Sequence, residues 1–135
     1  MITFDNQFLT ELFSQAAVSD RKRQNFDLRT TTSDTSQRML NALLPETLVP
    51  IHRHETTAET VVCLQGKLIE IMYEEVTSEG SNGLNEKTFK EVGRYLLCPT
   101  EGKCGMQIPK GVWHSVEVLE PSVIFEAKDG AYMRP

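Results

Sequence analysis

Residues 50–66 read PIHRHETTAETVVCLQG, with His52 and His54 two positions apart. On a β-strand, residues i and i+2 project from one face about 6 to 7 Å apart, close enough for both imidazoles to converge on one ion. Glu59 follows beyond a turn, at the head of the apolar run TVVCL. If that run pairs antiparallel with the first strand, the Glu59 carboxylate faces the same point. The chain's remaining histidine, His114, lies in IPKGVWHSVEV, residues 108–118, on a strand that Pro109 and Gly111 open. Three neutral imidazoles and a carboxylate suit one divalent metal ion. Zn, Fe, Mn and Ni all accept such a set, with positions left open for water or substrate.

Outward from these histidines the pattern is β on both sides. Runs rich in Val, Ile, Leu and aromatics predict strands at 37–44, 48–54, 57–64, 67–74, 87–92, 94–98, 105–108, 112–119 and 122–128. Pro45, Gly66, Gly93, Pro99, Gly102, Pro109, Gly111 and Pro121 punctuate them. Short strands without crossover helices must pair antiparallel, which predicts a sandwich or small barrel. The polar stretch from Thr77 to Glu86 reads as a hairpin tip. Ahead of the strands, Phe8, Leu9, Leu12, Phe13, Ala16 and Ala17 recur at spacings of three and four, predicting one helix from Asp5 to about Ser19, with Thr3 or Asp5 as cap. The basic cluster Arg21, Lys22 and Arg23 is either a solvated turn that complements the helix dipole or an anion-binding edge.

Composition narrows the function classes. A chain of 135 residues is the size of one domain. Fourteen Lys and Arg against nineteen Asp and Glu leave a net charge of -5, the wrong sign for a protein that lives on phosphate backbones, so nucleic acid is not an expected partner. Neither a membrane span nor a signal-peptide pattern is visible, which makes the cytoplasm the expected location. Cys63, Cys98 and Cys104 are odd in number and lack a CxxC pair, and they read as reduced, buried structural thiols.

The spacing HxHxxxxE, followed by Gly66 and about forty residues later by PxGxxH, resembles the two signature motifs of the cupin superfamily. Glu46, Lys103 and Val118 stand where those motifs carry two glycines and an asparagine. The segments RKRQNFDL (21–28), SDTSQRMLNALLPETLVPIHRH (33–54) and WHSVEVLEPSVIFEAKDGAY (113–132) further resemble the WbuC family of cupin-fold metalloproteins. That resemblance implies an all-β double-stranded β-helix, a small antiparallel barrel or jelly roll with a short N-terminal helix. Residues 1–36 would then pack as helix and loop on a barrel of residues 37–135, all in one domain. It further implies a bound divalent metal ion and a bacterial setting near surface-polysaccharide genes. It brings no established reaction.

On such a fold, strand alternation sends His52, His54, Glu59 and His114 inward together with Pro50, Val61, Cys63, Val112 and Val116, an apolar wall, while Arg53 and Trp113 face away. Glu126 and Lys128 share a face in IFEAKDG, as an ion pair or as proton-transfer candidates. Arg38 and Tyr73 are candidate substrate contacts; Arg38 and Asn41 alternate poorly, so at most one of them faces the cavity. Two function classes follow. One is a metal-dependent enzyme on a small polar or sugar-derived substrate, of oxygenase, isomerase or lyase type. The other is a module that holds a polar or anionic small molecule without turnover, a reading that gains if the basic cluster reaches the pocket. A homodimer is the expected assembly.

Overall fold

The computed structural model describes residues 1–80 and 82–130. Ser81, of the expected hairpin tip, and residues 131–135, including Tyr132 of the closing motif and the end of the expected barrel segment, lie outside the described residues. The chain forms a helix α1 (Asn6–Val18), strands β1 (Arg23–Asp27), β2 (Ser36–Leu43), β3 (Glu59–Glu79) and β4 (Asn85–Leu97), a 3-10 turn (Pro99–Glu101), and strands β5 (Gly105–Ile108) and β6 (Trp113–Asp129). Every strand pairing is antiparallel, in the order β1-β2-β6-β3-β4, with β5 also on β3.

Helix α1 starts where Asp5 accepts a hydrogen bond from the Phe8 backbone N–H at 2.9 Å, which satisfies a donor that the first helical turn leaves unpaired. Its apolar stripe, Leu9, Leu12 and Ala16, packs with Leu40, Ala42 and Val123 on the outer face of the sheet. The basic cluster after it is divided. Lys22 donates from Nζ to the Ala17 carbonyl near the helix end, whereas Arg23 opens β1, a strand absent from the sequence-based expectation. Strand β1 carries little apolar pattern of its own. Pairing with β2 makes it, and Phe26 anchors it through an edge-on contact with Phe8.

Three pairs of expected short strands are each one long strand. Segments 57–64 and 67–74 lie largely in β3, 87–92 and 94–98 largely in β4, and 112–119 and 122–128 largely in β6. Gly66, Gly93 and Pro121 therefore bend strands instead of ending them. The register between β3 and β6 slips around Gln65 and Lys67. On one side of the slip β3 takes β5 as its other neighbour, and on the other side β4. Gly66 adopts φ +102°, and a Cβ there would stand 2.4 Å from the Pro121 carbonyl oxygen. Only glycine lets the two strands cross so closely. Across the bend, Val61, Cys63, Ile108 and Ile124 of one half pack with Leu68, Met72, Leu97 and Val118 of the other in a common core.

Residues 48–54, expected as a strand, have only one isolated bridge, His52 to His114. Pro45 precedes the stretch and Pro50 stands inside it, neither with an N–H to donate, so a continuous ladder has no footing there. Cys63 and Cys98 are buried as expected, but Cys104 is exposed, and all three are free thiols.

Candidate metal centre

The single bridge is enough to set the HxH segment. His52 and His114 exchange backbone hydrogen bonds of 3.0 and 2.8 Å, and the Gly111 N–H donates to the His54 carbonyl at 2.7 Å. The PKG turn before β6 thus holds the far end of the HRH tripeptide. The three imidazoles face one another with ring centroids 4.3 to 5.6 Å apart. One nitrogen from each lies within 4.8 Å of the others.

Tautomers follow from the outer contacts. Nδ1 of His52 lies 2.8 Å from the Pro50 carbonyl, and Nδ1 of His114 lies 2.9 Å from the Val112 carbonyl. A carbonyl only accepts, so each Nδ1 carries a proton and Nε2 is the nitrogen left to offer a lone pair. These are the second acceptors that ligating histidines use to fix ring orientation. Nε2 of His54 and of His114 is buried without a hydrogen-bond partner. Burial holds the His114 pKa down at about 4, so this ring is neutral at pH 7.

Glu59 stands at the head of β3, with Oε2 2.8 Å from His54 Nε2 and Oε1 3.9 Å from His114 Nε2. Burial alone would push its carboxyl up, but the imidazoles of His54, His114 and His52 outweigh burial and keep it ionised below the usual carboxylate range. Buried lone pairs without donors, next to an ionised carboxylate, fit a divalent cation.

A cavity of about 1050 Å³ opens from these groups. The inner faces of β2 and β6 line it with Gln37, Met39, Asn41, Glu126 and Lys128, and β3 adds Glu59 and Glu70. Pro50, Val116, Arg53 and Trp113 also border it. Arg53 and Trp113 pack on each other, with the guanidinium 4.5 Å from the ring centroid. Burial pushes the Glu70 carboxyl up to about 8, with help from Glu59. Glu126 is likewise raised well above the carboxylate range by burial and then by Glu59 and Glu70, against the pull of Arg23.

The expected wall is therefore far more polar than alternation around the histidines implies. Glu70 is a residue that sequence reasoning missed, yet it carried a signal: it stands between Leu68 and Met72 on an inward face, where an acid is out of place. Arg38 lies elsewhere. It alternates with the inward residues of β2 and pairs with Asp34 at 2.9 Å, while Asn41 takes the cavity side. Tyr73 also stays outside the cavity lining, its ring 6.5 Å from that of Phe89. Arg21 and Arg23 do border the cavity. Arg23 is engaged there, donating to the Thr47 hydroxyl and the Leu48 carbonyl.

The model of a family described as a domain of unknown function, DUF6016, matches residues 4–81, more than half of the chain. No curated protein matches. Among solved structures, the chain is similar to the Schizosaccharomyces pombe Cnp3 cupin domain, at 10% identity and TM-score 0.51, over 83% of this chain and 67% of that one. It is also similar to the capsular polysaccharide assembling protein CapF from Staphylococcus aureus, at 22% identity and TM-score 0.55, over 86% of this chain and 28% of that one. A Lactobacillus farciminis oxalate decarboxylase in a formate complex aligns at 14% identity and TM-score 0.50, over 82% of this chain and 29% of that one. The chain thus spans less than a third of the last two proteins. At these identities the likeness shows the fold, which is that of a cupin.

Proposed function

This chain belongs to the DUF6016 family and has the cupin fold, and on that premise we propose that it is a divalent-metal protein with His52, His54, Glu59 and His114 as ligands, acting as an enzyme on a small polar or sugar-derived molecule in the cavity. One observation carries the reading: three imidazole nitrogens lie within 4.8 Å of one another, two of them buried and unpartnered. When bound, the ion supplies Lewis acidity to an oxygen of the ligand. The protein's own groups do the rest. Pro50 and Val112 hold the imidazoles in register through their carbonyls. Glu126 and Lys128, side by side on the inner face of β6, move or hold protons on the part of the ligand that extends away from the histidines. The resemblance to the WbuC family supports a bacterial role linked to surface polysaccharide, and the same reading takes the protein as a cytoplasmic homodimer.

A second reading, metal-assisted binding without turnover, draws support from Arg21 and Arg23 at the cavity. The test common to both is elemental analysis of protein purified without tag or chelator, with anomalous scattering to locate the ion. About one equivalent of Zn, Fe, Mn or Ni at the three histidines is expected. A protein that stays empty after reconstitution with each of these ions overturns the proposal. Turnover of a sugar-derived substrate, abolished by Glu126→Gln with metal retained, separates enzyme from binding module.

A further inference from the structure

We propose that the cavity wall beside the histidines, formed by Gln37, Asn41, Glu70 and Glu126, is a subsite for an uncharged polyhydroxylated ligand, such as a neutral sugar. The proposal deepens the functional reading above and rests on it only for the position of the subsite next to a metal centre.

Strand register defines the wall. Gln37 of β2 faces Lys128 of β6, which faces Glu59 of β3, so these three form one row across the sheet. In the next inward row Met39 faces Glu126, and Glu126 faces Val61; in the row after it Asn41 faces Ile124. Polar groups thus continue along the wall directly from Glu59. Gln37 is only 2% exposed, and its Oε1 lacks a hydrogen-bond partner, as does Oδ1 of Asn41. Buried amide oxygens without donors are rare in folded proteins, because desolvating them is unfavourable unless something donates to them. Both residues line the cavity, so the missing donors come from its contents.

Charge then selects the class of molecule. An anionic group at this wall would meet the ionised Glu59, and a cationic one would meet Lys128 and Arg23. Hydroxyl groups suit the wall better than either, because each donates one hydrogen bond and accepts others. Amide oxygens accept those donors, and the amide nitrogens and the carboxyls that burial favours in neutral form return them. A cavity of about 1050 Å³ has room for a sugar of one or two rings beside the histidines.

The experiment uses the full chain loaded with metal and ligand-observed saturation-transfer NMR. The probes are glucose, galactose and mannose, together with the uronate and the amino sugar of each. Binding of at least one neutral hexose is expected, with its uronate and amino counterparts about tenfold weaker. Gln37→Leu, and separately Asn41→Ser should the first fail to fold, is expected to weaken that binding about tenfold while metal content stays unchanged. Tighter binding of a charged analogue overturns the proposal, and so does the absence of binding by all nine sugars. Loss of metal from a folded Gln37→Leu also overturns it, since the residue would then act through the metal centre. If wild-type protein binds the neutral sugar but holds no metal, the metal reading falls and the subsite stands.

Discussion

His54 Nε2 lies 2.8 Å from Glu59 Oε2, and His114 Nε2 lies 3.9 Å from Glu59 Oε1, so one buried carboxylate faces two imidazole nitrogens. The backbone fixes both sides of this pairing: the Gly111 N–H holds the His54 carbonyl, and Glu59 stands at the start of a strand flanked by both β5 and β6. A carboxylate and neutral imidazole nitrogens held this close in a buried place form a donor set that a shared cation satisfies.

Glu59→Gln keeps the size of the side chain and removes its charge. Metal affinity is expected to fall by at least about tenfold, because even outer contacts of metal ligands carry that much. Competition with a chromophoric chelator measures it, and unchanged affinity removes Glu59 from the ligand set.

Replacing His52 and His114 together by Ala is expected to abolish metal binding while the protein stays folded. Its core is packed across the Gly66 bend by Leu, Ile, Val and Met side chains, independently of the site. Relative to metal-free wild type, stability should change by no more than about 2 kcal/mol. Far-ultraviolet circular dichroism and urea titration test this, and global unfolding of the double variant points to a structural metal instead.

In metal-free protein, stability should fall as the pH drops from about 6.5 to about 4. The His114 pKa is held near 4 in the fold against 6.5 when free, so across that window the unfolded chain binds the extra proton and the folded one does not. The contribution is complete above 6.5 and is lost as the pH falls through the folded value. Urea midpoints between pH 7.5 and 5 should lose much of their slope in His114→Ala; an unaltered slope contradicts the assignment.

Glu70 acts in the opposite direction. Its carboxyl is raised to about 8 by burial, so the stability tied to its neutral form is complete below about 4.5 and is lost as the pH rises through 8. Glu70→Gln, neutral at every pH, should stabilise the metal-free protein by roughly 1 to 3 kcal/mol at pH 9 and have far less effect at pH 5. Equal effects at the two values would show that Glu70 does not titrate in this range.

Gly66→Ala is expected to destabilise by about 2 kcal/mol or more, since it combines a left-handed φ with a Cβ that would meet the Pro121 carbonyl and Ser122 at 2.4 Å. Thermal melts decide this. A loss no larger than that of Gly83→Ala, where the added Cβ meets nothing within 4 Å, would mean that the close crossing at the bend relaxes easily.

Much of this architecture is legible in the sequence. Alternation and punctuation were sufficient for antiparallel strands, and the amphipathic stripe for the helix. The pair His52 and His54 is a weak signal alone, and it is the conjunction with Glu59, Gly66 and the PxGxxH of His114 that makes the site legible. Strand β1 was illegible because its residues have little apolar pattern and depend on β2 for pairing. Stretch 48–54 misled in the other direction, since apolar residues around two prolines look like a strand but have few partners. Arg38 attracted attention as a charged residue on a buried strand, but the face it occupies became visible only once Leu40 and Ala42 were seen packed against the helix.

By itself, then, the sequence determined the chemistry available: three histidines, a nearby carboxylate and antiparallel strands of local period two. The tertiary structure alone decided that Gly66 and Pro121 bend strands without breaking them, and that Gln37, Glu126 and Glu70 share one cavity with the histidines. The reason is physical: alternation sets which residues of a strand share a face, but register and bending depend on pairing between segments far apart in the chain, whose outcome depends on how the whole core packs.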